Sequence, residues 1–206
     1  PPAEPPASDP IIDPPPAQDD AGDAIFSANF DHRSSGPYTE AMLDEDWNAP
    51  AWSQGVDDGR VSLVETVGGN TALAVSYPAG AYGTSNTGAQ WKLDFDAGDT
   101  DLRLSYDIQF AEGFDFVKGG KLPGFFGGAG NTGGGIPTGT DGFSARMMWR
   151  EDGKIVQYMY YPDQPEYYGE DMPWTDATTG EPLRFTPGAW QNVTHELHLN
   201  TPGQSD

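Results

Sequence analysis

The sequence predicts an all-β fold, an antiparallel β-sandwich of jelly-roll type. Three observations predict it. Leu102, Leu104, Tyr106, Ile108 and Phe110 alternate with Arg103, Ser105, Asp107 and Gln109, the period of a strand with one buried face. Short strand candidates recur at Val61–Thr66, Ala72–Tyr77 and Val193–Leu199, punctuated by Gly, Pro, Asn and Asp. Helical patterning is confined to one short segment, Thr39–Trp47.

Residues 1–24 hold eight of the 19 prolines and six acidic residues, with no Lys or Arg. So little apolar surface cannot offset the entropy of ordering the chain, so a disordered Pro/Asp-rich linker is expected there. A single domain is expected over 25–206. Its last residues, Thr201-Pro202-Gly203-Gln204-Ser205-Asp206, have a turn composition directly after a strand, so the jelly roll is expected to be truncated at its C-terminus.

Composition narrows the function. The 206 residues carry 32 acidic and 10 basic side chains, a formal net charge of -22. Such a surface repels phosphate, so no nucleic-acid partner is expected. Without cysteine there are no disulfides, zinc-thiolate sites or cysteine nucleophiles. No apolar run approaches the roughly 18 residues of a membrane-spanning helix, so no membrane partner is expected. The chain does not begin with Met and reads as a processed product, expected to be secreted and monomeric.

Against this acidic background, Lys118, Lys121, Arg146, Arg150 and Lys154 place five of the ten cations within 37 residues. A local positive site on a negative protein points to an anionic ligand. Lys118 and Lys121 lie in Lys-Gly-Gly-Lys-Leu-Pro-Gly, read as a glycine-rich loop. Phe143–Arg150 and Lys154–Tyr161 flank Glu151-Asp152-Gly153 and read as a hairpin. A two-residue turn would set Arg146 against Met159. A three-residue turn with Gly153 in the left-handed conformation would set Arg146 against Tyr158 and Ser144 against Tyr160. The second register gathers Phe143, Ala145, Met147, Trp149, Ile155, Met159 and Tyr161 on one apolar face, so burial favours it. Ser144, Arg146, Tyr158 and Tyr160 are then expected to form one polar patch on an exposed sheet surface.

Cations that neutralise a carboxylate, beside tyrosines that move protons, are the groups needed for β-elimination from a uronic-acid polymer. Arg146 suits the carboxylate, being permanently charged and able to bind it bidentately. A phenol titrating near 10 is a poor base at neutral pH, but neighbouring cations lower it. Tyr158 or Tyr160 is read as the base and the other, or the same residue, as the acid. Lys121 shares the carboxylate or acts as a base, Ser144 holds substrate, and Lys118 and Arg150 are substrate-binding candidates. No metal or cofactor is expected.

These residues resemble polysaccharide lyase family 14, which includes alginate lyases. The shared features are Lys118–Gly124, Phe-Ser-Ala-Arg-Met-Met-Trp-Arg at 143–150 and Tyr-x-Tyr at 158–160. Tyr77–Gly83 and Gly88-Ala89-Gln90-Trp91 also resemble it, so the likeness spans roughly residues 60–206. The resemblance implies a β-jelly roll that cleaves uronate polymers, most simply alginate. It implies a cleft lined by Lys121, Ser144, Arg146, Tyr158 and Tyr160, with Lys118 as the other lysine candidate. A glucuronan or other uronate polymer is the alternative substrate, and a non-catalytic carbohydrate-binding module is the alternative function.

Other signals carry less. Gly128–Gly133 fits G-x-G-x-x-G but lacks a surrounding βαβ unit, and reads as a loop or a lid over the cleft. His195 and His198 point to opposite faces of their strand, so a shared metal site is not expected, and a structural role is assigned to His195. Asp96, Asp99 and Asp101 lack EF-hand spacing and read as a solvated turn.

Overall fold

The computed structural model describes residues 24–95 and 100–201. The expected linker, apart from Ala24, lies outside these residues, as do Asp96, Asp99 and the expected truncated end from Pro202. Where the sequence reads as one domain, the chain divides into two compact units, Pro1–Gly98 and Asp99–Asp206.

In the first unit, strands β1 (Gly36–Pro37), β3 (Val61–Glu65) and β4 (Thr71–Val75) form an antiparallel sheet in the order β1-β3-β4. Strands β2 (Ser53–Gln54) and β5 (Gln90–Trp91) pair separately. The expected helix is α1 (Glu40–Asp46), with Thr39 as its N-cap, whose hydroxyl accepts from the Met42 N–H at 3.3 Å. Its Leu43 packs with Tyr38, Val56, Val61 and Leu63 in the unit's core. At the other end of α1, the side chain of Asp46 accepts hydrogen bonds from Arg33 Nε (2.8 Å), Arg33 Nη2 (2.7 Å) and the Tyr38 hydroxyl (2.8 Å). This network ties the helix terminus to the segment leading into β1.

The second unit is a two-layer antiparallel sandwich. Strands β7 (Gly119–Gly128), β8 (Gly142–Arg150), β9 (Ile155–Tyr160) and β10 (Glu170–Pro173) form one sheet in the order β10-β9-β8-β7. Strands β6 (Asp101–Gln109) and β11 (Trp190–His198) form the other, paired over nine positions from Asp101↔His198 to Gln109↔Trp190. The alternation read over 102–110 appears as alternating exposure from Asp101 to Tyr106, and the rest of β6 is half-buried on both faces. Between the layers lie Phe110, Phe116, Met147, Trp149, Ile155, Phe185 and Val193. Phe110 is the hub, with the rings of Phe116, Trp149 and Phe185 centred 4.9, 5.2 and 5.1 Å away. Each such side chain contributes about 1.5–3 kcal/mol of transfer free energy on full burial.

The β8–β9 hairpin takes the three-residue turn. Trp149 opposes Ile155, and the Arg150 N–H donates to the Lys154 carbonyl at 2.8 Å. Gly153 is left-handed (φ 73°), and so is Asp152 (φ 58°). The segment read as a glycine-rich loop is instead an edge strand, β7, and it is bulged. Lys121 opposes Met148 and Gly124 opposes Arg146, so three steps on β7 span two on β8. Pro123 sits inside that bulge, where its missing N–H costs no ladder bond.

Candidate active site

The register decides which side chains share a face. Ser144 opposes Tyr160 and Arg146 opposes Tyr158, as burial of the apolar face requires. Lys121 opposes Met148, a same-face neighbour of Arg146 along β8, so the bulged strand brings its ammonium to the same side. One face of the sheet therefore carries Lys121, Ser144, Arg146, Tyr158 and Tyr160, opposite the face that packs on β6 and β11.

This face is not an open surface. Tyr160 is 1% exposed and Ser144 2%, while Arg146 and Tyr158 are half-buried and Lys121 is exposed. The cover is the loop joining β7 to β8, residues 129–141, which includes most of the G-x-G-x-x-G segment. Its Asn131 carbonyl accepts from Ser144 Oγ at 2.6 Å, and its Thr132 Oγ1 accepts from Arg146 Nη2 at 2.9 Å. The Gly134 N–H donates to the Tyr160 phenol oxygen at 3.3 Å. Gly169, just before β10, lies against the edge of the Tyr160 ring, so closely that a β-carbon there would meet Cε2 at 2.7 Å. The loop holds itself together through Asp141, whose carboxylate accepts from Asn131 Nδ2 (3.1 Å) and the Thr138 N–H (2.7 Å).

Within the face the groups are linked. Arg146 Nη2 also donates to Ser144 Oγ at 3.1 Å. Arg146 Nε is buried and has no partner among the described residues. A buried guanidinium donor without an acceptor is unusual. The phenol oxygens of Tyr158 and Tyr160 are 3.5 Å apart. Lys121 forms no hydrogen bond or ion pair among the described residues, whereas Arg150 is held by Asp171 at 2.8 Å through Nε and stacks 5.3 Å over the Tyr158 ring. Lys118 is exposed and lines a separate shallow groove with Arg150 and Lys154.

Electrostatics separates the groups. Partial desolvation, reinforced by the charge of Arg146, pushes the Lys121 ammonium below its usual 10.5. Burial also pulls the Arg146 guanidinium down, without bringing it near neutrality. Burial and the bond to Tyr160 push the Tyr158 phenol up to about 12. Burial alone would raise Tyr160 as well, but hydrogen bonds from Tyr158 and the Gly134 N–H outweigh it and leave Tyr160 below 10.

Several residues were not legible as site components. Asn131, Thr132 and Gly134 act largely through backbone groups of a loop whose only sequence signal was its glycines. Asp171 sits far along the chain and meets Arg150 only because β10 pairs with β9. His195 is 2% exposed on the opposite side of the sheet, with Nε2 2.9 Å from Gln157 Nε2 and its ring against Phe125. His198 is exposed and paired with Asp101.

Among solved structures, alginate lyase Aly36B shares 27% identity at a TM-score of 0.69, covering 88% of this chain and 71% of that one. A marine PL-14 alginate lyase from Aplysia kurodai shares 28% at 0.65, covering 84% and 72%. A doubly substituted Aly36B in complex with alginate tetrasaccharide shares 27% at 0.71, covering 88% and 71%. No curated protein matches the chain. The family described as Polysaccharide lyase 14 matches residues 65–206, which include every strand of the second unit and every residue of the candidate site. That match covers more than half of the chain, and the chain belongs to polysaccharide lyase family 14.

Proposed function

We propose that this polysaccharide lyase cleaves alginate by β-elimination, with Lys121, Arg146, Tyr158 and Tyr160 as its reacting face. The observation that carries the reading is an exposed, unpaired Lys121 on the same sheet face as a half-buried Arg146 and two phenols whose oxygens stand 3.5 Å apart. The neighbouring structures are alginate lyases, two of them bound to alginate oligosaccharides, which favours alginate over glucuronan.

The hard step is removing H5 from a sugar whose adjacent carboxylate is already negative. Arg146 neutralises that carboxylate and so stabilises the charge that develops at C5 as its proton leaves. Burial of Tyr160 moves the base role to Lys121, which is exposed to substrate and has a neutral form more accessible than an ordinary lysine's. Lys121 Nζ takes H5. The electron pair forms the C4–C5 double bond, and the C4–O4 bond breaks. The bridging oxygen leaves with the neighbouring sugar and takes the Tyr158 proton. Tyr158 keeps that proton throughout the working pH range, and Tyr160, bonded to it, relays its replacement. Ser144 fixes the guanidinium, while Lys118 and Arg150 supply positive charge farther along the polymer. A polymeric substrate implies action outside the cell.

The test is to incubate the protein with alginate and with glucuronan and to follow the ultraviolet absorbance of the unsaturated product. Absorbance rising with alginate supports the reading. A rise with glucuronan alone replaces the substrate, and no rise with either overturns the activity.

A further inference from the structure

The loop joining β9 to β10, residues 161–169, exposes two large aromatic side chains beside the reacting face. Tyr167 is 63% exposed and Tyr168 60%. Their ring centres are 5.0 Å apart and their planes meet at 82°, so the pair forms an L-shaped corner. Leaving two such rings in water forfeits burial that either could have contributed to the core.

The loop is nonetheless built to hold them there. Gln164, 6% exposed, spends its side-chain amide on the loop's own backbone. Its Nε2 donates to the carbonyls of Glu166 and Tyr168, each at 2.8 Å, and its Oε1 accepts from the Tyr161 N–H at 3.3 Å. A buried amide that satisfies three bonds within one short loop fixes the loop's shape. Rigid exposed tyrosines lose little conformational freedom on binding, which suits them to recognition.

The corner also adjoins the reacting face. The Tyr167 ring lies on Gly134, where a β-carbon would stand 2.3 Å from its Cζ, and Gly134 is the residue whose N–H holds the Tyr160 phenol. One residue therefore separates the exposed ring from a proposed reacting group.

We infer that Tyr167 and Tyr168 form a sugar-stacking subsite beside the cleaved linkage, taking the apolar C–H face of a pyranose ring of the uronate chain. A pyranose presents axial C–H bonds on one face and carboxylate and hydroxyls at its rim. One ring of the corner stacks on the C–H face and the other walls its edge, while the charged rim stays in water. The inference rests on the proposed alginate reading for its ligand.

The experiment uses the full chain and two readouts, steady-state cleavage of alginate and retardation in alginate-containing gels, which needs no turnover. Tyr168→Ala is expected to raise KM about tenfold and to lose most of the retardation, with the loss falling on KM rather than kcat. Tyr168→Trp is expected to restore both. Tyr167→Ala is expected to lower kcat as well, because it removes the packing on Gly134. A wild-type protein that cleaves alginate, with Tyr168→Ala matching its KM and retardation, overturns the subsite and leaves the activity standing. Retardation that is lost in Tyr168→Ala, in a protein that cleaves nothing, overturns the activity and leaves the subsite standing. Neither cleavage nor retardation in the wild type overturns both.

Discussion

The phenol oxygens of Tyr158 and Tyr160 stand 3.5 Å apart, and their surroundings drive their acidities in opposite directions. The two residues project from the same face of β9, yet loop N–H groups outweigh burial at Tyr160 and not at Tyr158. Tyr160 accepts from the Gly134 N–H, which favours its ionised form; Tyr158 loses hydration with less compensation and holds its proton to about 12. In the proposed mechanism Tyr158 is therefore the group that holds its proton for the leaving oxygen, and Tyr160 the one that relays its replacement. Tyr158→Phe is expected to lower kcat at least a hundredfold with KM little changed, because only the proton for the leaving oxygen is lost. Tyr160→Phe is expected to cost less, since it removes a relay. Steady-state kinetics of the two variants on alginate checks the order, and the reverse order would exchange their roles.

The same electrostatics sets the pH profile. In the proposed mechanism Lys121 is neutral when it takes H5, and partial desolvation beside Arg146 holds its ammonium below the usual 10.5. The rise of kcat/KM with pH is therefore expected on the alkaline side of neutral but below 10.5. Ionisation of Tyr158 would end it only near 12. Lys121→Arg keeps the charge and removes the base, and is expected to abolish that rise along with most of the activity. A bell centred near pH 5 would exclude both lysine and tyrosine as base.

Arg146 offers a test that separates catalysis from folding. It is half-buried, and its hydrogen-bond partners, Thr132 and Ser144, belong to the site and not to the sandwich core. Arg146→Ala is expected to lose turnover by two or more orders of magnitude, on the scale of removing one charge-stabilising group, about 10²–10³. Thermal unfolding is expected to change little. Near-normal turnover in the folded variant would reject the assignment.

How much of this was legible in the sequence follows from the range of each interaction. Alternation fixes a strand locally, so β6, β8, β9 and α1 were readable to within a residue or two. The hairpin register was readable because a one-residue slip would have exposed Met147 and Trp149, both now 3% exposed or less. Lys121 was readable as a site residue but not as part of a strand, since the glycines and Pro123 that signal a loop also make a bulge. The openness of the site was misread. Tyr160 alternates correctly onto the polar face, but its burial comes from Gly134 and Gly169, whose approach no local pattern encodes.

The first unit predicts an acid sensitivity unrelated to catalysis. Burial alone would raise the Asp46 carboxyl, but hydrogen bonds from Arg33 and Tyr38 outweigh it and hold it below the usual carboxylate range. Its contribution to stability is therefore complete above the unfolded value of about 3.9 and is lost as pH falls through the lower folded one. Thermal unfolding followed from about pH 5 to about pH 2 is expected to show that loss. Asp46→Asn is expected to melt several degrees lower at neutral pH and to show a shallower decline. Parallel curves for the two proteins would remove Asp46 from the account.

The net charge of -22 bears on how an anionic polymer reaches the site at all. Two charge effects compete, and they differ in range. Repulsion between the acidic surface and a polyanion acts over many ångströms and is screened once the Debye length falls below about 10 Å, near 0.1 M salt. Attraction to Lys121 and Arg146 acts at contact, in a partly desolvated site, and is screened far less. Added salt therefore removes the repulsion first. Cleavage of alginate is expected to show kcat/KM rising several-fold between about 0.01 M and about 0.3 M NaCl, carried by KM, and to level off above that. A fall from the lowest salt onward would mean that contact attraction governs encounter and that the acidic surface plays no part in it.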